Sequence, residues 1–149
     1  MKKILIPVTN HATLGATDQS NGTYSPELTH ALHVFLESGF EYEITSIKGG
    51  KAPIYGTEIE NDLVNETILK NEVFQSRMNK TIPISKVKIE DYDAIYYPGG
   101  FGLLSDLVSN GDLAKLSAKH YESGGIIAAV CHGPAGLLPI TLSNGEKLL

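Results

Sequence analysis

A single cysteine stands in a segment whose residue types suit nucleophilic chemistry. Cys131 follows a run of five apolar residues and precedes His132 and Gly133. A nucleophile elbow holds such a residue on a sharp turn between a strand and a helix, and small neighbours, here Ala129 and Gly133, give the strained backbone room. Helix N–H groups at such a turn lower the pKa of a thiol and can bind an oxyanion. The segment therefore predicts a reactive thiol at Cys131.

Two interpretations of Cys131 remain open from its position alone. It is the only cysteine, so no internal disulfide can form. It is either a small buried residue at the end of a strand, as many cysteines are, or a functional thiol. The histidine, glycine and proline that follow it favour the functional interpretation.

Other residues that could suggest a ligand site do not fit one. His30 and His33 are three positions apart without a supporting carboxylate and cysteine set, and His11 and His120 stand elsewhere in the chain, so we predict no metal. The glycine-rich segment 99–102 lacks the lysine and the spacing of a phosphate-binding loop. A turn or an oxyanion site suits that segment better.

Length and charge narrow the class of protein. The 149 residues predict one domain over residues 1–149. The net charge of −5 and the scattered lysines leave no basic stripe, which argues against nucleic acid as a partner. No apolar run approaches the roughly 20 residues that cross a bilayer. We therefore predict a cytoplasmic protein that binds a small molecule.

Apolar runs and helical periodicities alternate along the chain. Strands are predicted at 2–8, 42–47, 93–97 and 126–130. Helices are predicted at 26–38, 59–74 (with a possible break), 103–108 and 112–123. This alternation predicts an α/β fold, a doubly wound, flavodoxin-like parallel sheet with helices on both faces. Its site would lie at the carboxyl ends of the strands.

Two motifs together carry a resemblance to a known family. Residues 91–95 lead into Pro98–Gly99–Gly100, and residues 128–134 surround the cysteine. This pair is similar to the signature of the ThiJ/PfpI superfamily. Residues 22–28 and 79–81 resemble its heat-shock chaperone and glyoxalase branch.

The resemblance implies a cofactor-independent thiol site. Cys131 would be the nucleophile, and Glu27 would hydrogen-bond it and move protons. His132 would be the adjacent imidazole, acting as a base or only as an elbow residue. From local sequence alone, Glu27 is equally an ordinary first-turn acid that complements the helix dipole. The residues implied for the oxyanion or the substrate are Gly99, Gly100, Phe101 and Gly133.

The chain departs from that branch in two places. Branch members commonly have a histidine where this chain has Phe101, which removes a donor and adds apolar bulk. Only residues 132–149 follow Cys131, so the C-terminal part of the family fold is expected to be absent, and the chain offers no third acid for a triad. The sheet edge left uncovered predicts association, by default as a homodimer.

The function implied is that of a glyoxalase III-type enzyme. It would convert methylglyoxal-like 2-oxoaldehydes to hydroxy acids through a Cys131 adduct and Glu27 proton transfer, without metal, glutathione or other cofactor. One alternative is a stress protein, either a holding chaperone or a sensor whose thiol is oxidised. Protease- or amidase-like hydrolysis and an inactive truncated copy are further alternatives.

Overall fold

Strands and helices alternate in the computed structural model, which describes residues 1–149. The strands are β1 (Lys3–Pro7), β2 (Thr23–Tyr24), β3 (Glu41–Ser46), β4 (Ile54–Tyr55), β5 (Ile82–Pro83), β6 (Ala94–Tyr97) and β7 (Ile126–Ala129). The α-helices are α1 (Ser25–Glu37), α2 (Leu63–Leu69), α3 (Glu72–Asn79) and α4 (Gly111–Glu122). Short 3-10 helices near the strand ends span Phe101–Ser105, Leu107–Ser109 and Gly133–Leu137.

Five strands form one parallel sheet in the order β5-β3-β1-β6-β7, and β2 and β4 form a separate pair. The chain builds outward from β1 through β3 to β5 and then returns to the other side of β1. The point where the strand order reverses, which is where α/β folds bind ligands, therefore lies between β1 and β6. The predicted α/β class with a parallel sheet is confirmed. In one detail the order differs from that of flavodoxins: β5 lies outside β3 instead of beside β1.

Each face of the sheet has its own core, because successive side chains of a strand point to opposite faces. Leu5 packs with Leu113 of α4 on one face. Ile6 packs with Leu28 of α1 on the other. Each such buried side chain contributes about 1.5–3 kcal/mol of hydrophobic stabilisation. Helices cover both faces, as predicted.

Helix boundaries differ from the prediction where side chains compete for backbone groups. The helix predicted from residue 26 begins one residue earlier, at Ser25, whose hydroxyl donates to Oδ1 of Asn65 at 2.5 Å. The predicted helix over 59–74 is divided into α2 and α3. The division occurs at Asn71, whose side chain accepts the N–H of Phe74 and caps α3.

The predicted helix over 103–108 is wrong, because this segment forms two 3-10 turns. Asp106 separates them in a non-helical conformation (φ −136°, ψ −53°). Its carboxylate accepts the Thr9 hydroxyl and the Asn10 N–H, both at 2.8 Å. These two hydrogen bonds fix the 101–109 segment to the loop after β1.

The strand predicted over 126–130, before the cysteine, spans Ile126–Ala129 and is not fully buried. β7 pairs with β6 alone and forms an edge of the sheet, and Ile126 is 65% exposed. Near the end of the described chain, an antiparallel bridge joins Thr141 and Lys147. Among the helices, none is long and apolar enough to traverse a lipid bilayer.

Replacing Gly133 with alanine is expected to destabilise the fold. A Cβ there would lie 2.3 Å from the carbonyl oxygen of Tyr97, and neither backbone can move cheaply. Overpacking of this kind costs about 1–3 kcal/mol, so we expect a lower midpoint of thermal unfolding. Gly111→Ala is the control, because no atom within 4 Å would meet its Cβ. Equal midpoints for the two variants would contradict the prediction.

Candidate active site

The first turn of α1 and the segments after β6 and β7 bring Glu27, Gly99 and Cys131 together at the carboxyl ends of the strands. Glu27 lies in the first turn of α1, Gly99 follows β6, and Cys131 follows β7. A Cβ on Gly99 would lie 2.2 Å from Oε2 of Glu27 and 3.0 Å from Cβ of Cys131. Only a glycine at this position lets the carboxyl and the thiol-bearing residue approach the same point.

Cys131 occupies a strained turn. Its φ is 55°, and Asn61 is the only other non-glycine residue with a positive φ. Such a conformation costs an L-residue of order 1–3 kcal/mol and is typical of functional turns. The side chain is exposed. The backbone therefore has the form of the predicted elbow and presents the sulfur to solvent.

Contacts of α1 hold Glu27 in place. Ser25 and Thr29, on either side of Glu27, donate their hydroxyls to Oδ1 of the buried Asn65 at 2.5 and 2.8 Å. Tyr96 donates its hydroxyl to the Glu27 carbonyl oxygen at 2.6 Å. Oε2 of Glu27 is buried and has no hydrogen-bond partner. An unpaired buried oxygen is costly, and such atoms mark candidate functional groups.

The Glu27 carboxyl changes the pKa of the Cys131 thiol. Its pKa is raised, chiefly by a hydrogen-bonding interaction with Glu27, then by burial and by the negative charge of that residue. Oε2 of Glu27 makes no hydrogen bond of ordinary geometry, so its interaction with the thiol is weaker than a full hydrogen bond. The N–H of His132 acts in the opposite direction and lowers the pKa.

The expected lowering of the thiol pKa is therefore wrong for Cys131. The elbow leads into a five-residue 3-10 helix, Gly133–Leu137, and not into an α-helix with a full dipole. The adjacent carboxyl outweighs the one N–H that favours the thiolate. The carboxyl beside Cys131 therefore favours the protonated form of the thiol.

His132 lies beside the sulfur and against an aromatic ring. Its Nδ1 is 3.4 Å from Sγ of Cys131. Its imidazole packs on the ring of Phe101 with centroids 4.4 Å apart and planes tilted by 43°. Phe101 is 40% exposed. One side of the thiol is thus bordered by an imidazole and an apolar ring.

The glycines implied for an oxyanion site are closely packed. Gly100 has a φ of 112°, and a Cβ there would lie 2.2 Å from the carbonyl oxygen of Gly22. Gly133 donates its N–H to the Val130 carbonyl at 2.7 Å, inside the turn. The N–H of His132 is the backbone donor directed at the sulfur.

Sequence reasoning did not single out Tyr55, which also lies at this site. Burial, followed by the charge of Glu27, raises the pKa of its hydroxyl, while the Phe101 N–H and the Asn21 side chain lower it. Its ring lies 5.2 Å from that of Tyr24 across the β2-β4 pair. Strands of two residues carry no readable periodicity, so no sequence signal placed Tyr55 here.

A cavity of about 630 Å³ lies away from this site. It is found near the amino ends of β1, β6 and β7, with Ile4, Asp93 and Ile126 in its wall. The thiol instead stands on an open surface. Nowhere do three or more His, Cys, Asp or Glu side chains form a group suited to a metal ion.

Comparisons with known proteins identify relatives of this site and fold. The sequence profile of the DJ-1/PfpI family matches residues 19–148. A glutathione-independent glyoxalase of Saccharomyces cerevisiae is 32% identical over 142 residues, covering 90% of this chain and 59% of that protein. Glyoxalase 3 of Candida albicans is 27% identical over 143 residues, covering 91% of this chain and 59% of that protein.

A solved structure supports the same relationship. The rapid encystment protein of Francisella tularensis superposes with a TM-score of 0.91 at 30% identity, covering 99% of this chain and 66% of that one. The chain thus spans about three fifths of the two glyoxalases and two thirds of the Francisella protein.

Proposed function

Because the chain belongs to the DJ-1/PfpI family, we propose that it is a glutathione-independent glyoxalase that converts 2-oxoaldehydes such as methylglyoxal to 2-hydroxy acids. One observation carries the proposal: Gly99 is in contact with both the Glu27 carboxyl and Cys131, so that acid, nucleophile and substrate carbon can meet at one point. Relatives with glyoxalase names support the choice of reaction.

The reaction begins with addition of the thiol to the aldehyde carbon. The S–C bond forms as the C=O π bond opens. The thiol proton passes to the Glu27 carboxylate, which hands it to the aldehyde oxygen and is left as a carboxylate again. A thiol with a raised pKa is a weak nucleophile until a base removes its proton. Glu27 is the base in contact with it.

The hydroxy acid then forms by an internal redox change. Glu27 removes the proton from the former aldehyde carbon, and the electron pair passes to the ketone oxygen, which takes a proton from water to give an enediol. Glu27 then returns its proton to the second carbon while the hydroxyl of the first carbon gives its proton to water, which leaves a thioester on Cys131. Water cleaves the thioester and releases the 2-hydroxy acid and the free thiol. One carbon is oxidised and its neighbour reduced, so no external oxidant, metal or glutathione is needed.

The state of the thiol distinguishes this proposal from an oxidation sensor. Peroxide oxidises thiolates in preference to thiols. The Glu27 carboxyl keeps Cys131 in the thiol form by raising its pKa. A base-assisted enzyme uses this arrangement, whereas it slows the response of a sensor.

The test is lactate formation from methylglyoxal by the full chain, followed by chromatography, without glutathione and with a chelator present. We expect turnover to continue under these conditions. Absence of lactate, or turnover that stops when the chelator is added, would contradict the proposed function.

A further inference from the structure

Phe101 places an exposed apolar ring against His132, the residue that follows the thiol. Its ring packs at 4.4 Å on the imidazole of His132, whose Nδ1 is 3.4 Å from Sγ of Cys131. The side chain is nevertheless 40% exposed. An exposed aromatic face this close to a nucleophile is available to a group of a bound molecule.

Contacts of the residues that follow Phe101 fix the backbone that carries its ring. Gly102, next in the chain, donates its N–H to Oδ1 of Asn21 at 3.2 Å, and a Cβ on it would lie 2.7 Å from Cγ2 of Thr9. Leu103 is 2% exposed in the core. With the two following residues held in this way, the backbone at Phe101 is fixed, and little backbone entropy is lost when a ligand packs on its ring.

The thiol has a carboxyl and an aromatic pair among its neighbours. The Glu27 carboxyl and Cys131 both approach Gly99, and the Phe101 ring packs on the imidazole of His132. A methyl substituent covers little of an aromatic face. A flat aryl substituent can stack on it with the offset or tilted geometry that aromatic pairs prefer.

We infer that this site prefers 2-oxoaldehydes with an aryl or similarly flat apolar substituent over methylglyoxal, and that the Phe101 ring is the surface that receives the substituent. This inference rests on the proposed glyoxalase function. Phe101 is then a specificity-determining residue. The expected product from phenylglyoxal is mandelate, formed by the same internal redox change and hydrolysis.

The experiment compares kcat/KM for phenylglyoxal and methylglyoxal in the wild type and in Phe101→Ala. We expect the wild type to favour phenylglyoxal by about tenfold, the size of effect that a single apolar contact gives. In Phe101→Ala the rate with phenylglyoxal falls further than that with methylglyoxal, and the preference drops by roughly fivefold to tenfold. Phe101→Leu, which keeps bulk without a flat face, should lie between the two.

Two controls isolate the ring. Leu104→Ala removes an apolar side chain that is 42% exposed in the same 3-10 helix, and it should leave the substrate preference unchanged. Because arylglyoxals also modify guanidinium groups, the comparison is repeated in Arg77→Lys, which removes the only arginine of the chain.

The outcomes separate the inference from the function on which it rests. Lactate formation with no preference for phenylglyoxal, or a preference that Phe101→Ala leaves unmoved, overturns the inference and leaves the glyoxalase function standing. Turnover of neither substrate overturns both.

Discussion

Replacing Cys131 with alanine is expected to lower kcat/KM for methylglyoxal by a factor on the order of 10⁴, close to the background rate. The chain contains no second cysteine that could take over. Without the sulfur, the aldehyde carbon cannot be held in a covalent adduct while its proton is moved, so the Glu27 carboxyl has no positioned substrate to act on. The measurement is the initial rate of lactate formation.

The matched controls test whether the loss is chemical or structural. The Cys131 side chain is exposed, and alanine accepts the same φ of 55° at similar cost, so the midpoint of thermal unfolding should change little. Cys131→Ser keeps the size and places a far less acidic hydroxyl at the elbow, and it should be almost as inactive as alanine. Activity within about tenfold of wild type in either variant would show that the thiol is not the nucleophile.

Much of the candidate site could be predicted from sequence because the topology of a parallel sheet places its residues at one edge. Parallel strands of one sheet present their carboxyl ends on the same edge, so motifs that follow separate strands meet there. The Gly99 loop and Cys131 follow the adjacent strands β6 and β7. Glu27 reaches the same edge because α1 begins there, after β1. The α/β class was predictable for the same reason.

The features that could not be predicted depend on contacts between side chains that are far apart in the sequence. The elbow alone indicates a lowered thiol pKa at Cys131, and the interaction with Glu27, together with burial, reverses the direction. Asp106 interrupts a helical pattern because its carboxylate bonds the loop after β1, a partner nearly a hundred positions away. Tyr55 enters the site on a two-residue strand, which is below the length at which periodicity can be read.

Glu27→Gln is expected to lower the activity of the site and, at the same time, to make the Cys131 thiol more acidic. Glutamine keeps the shape of the side chain but cannot accept and return protons, so kcat/KM should fall by about 10²–10⁴. The thiol should at the same time become more acidic. In the wild type the contact with the carboxyl and its negative charge disfavour the thiolate and raise the pKa of Cys131. A neutral amide removes the charge, so the pKa falls.

The acidity of the Cys131 thiol is measured from the rate at which iodoacetamide alkylates it across a range of pH. Only the thiolate reacts, so the rate rises as pH passes through the thiol pKa. The Glu27→Gln profile should be displaced to lower pH, and at neutral pH this variant should be alkylated faster than wild type. Glu37→Gln is the control, because Glu37 ends the same helix with its carboxyl 72% exposed and remote from the thiol.

Activity and thiol acidity measured together in Glu27→Gln distinguish a proton-transfer role of Glu27 from a structural one. If Glu27 only supported the fold, its replacement would lower activity and the unfolding midpoint together, and it would not make the thiol more acidic. If it only tuned the thiol, a more acidic Cys131 would give equal or higher activity at neutral pH. A slower enzyme with a more reactive thiol is the result required if Glu27 both accepts the thiol proton and carries the proton between the two carbons. An unchanged alkylation profile would overturn that assignment even if activity were lost.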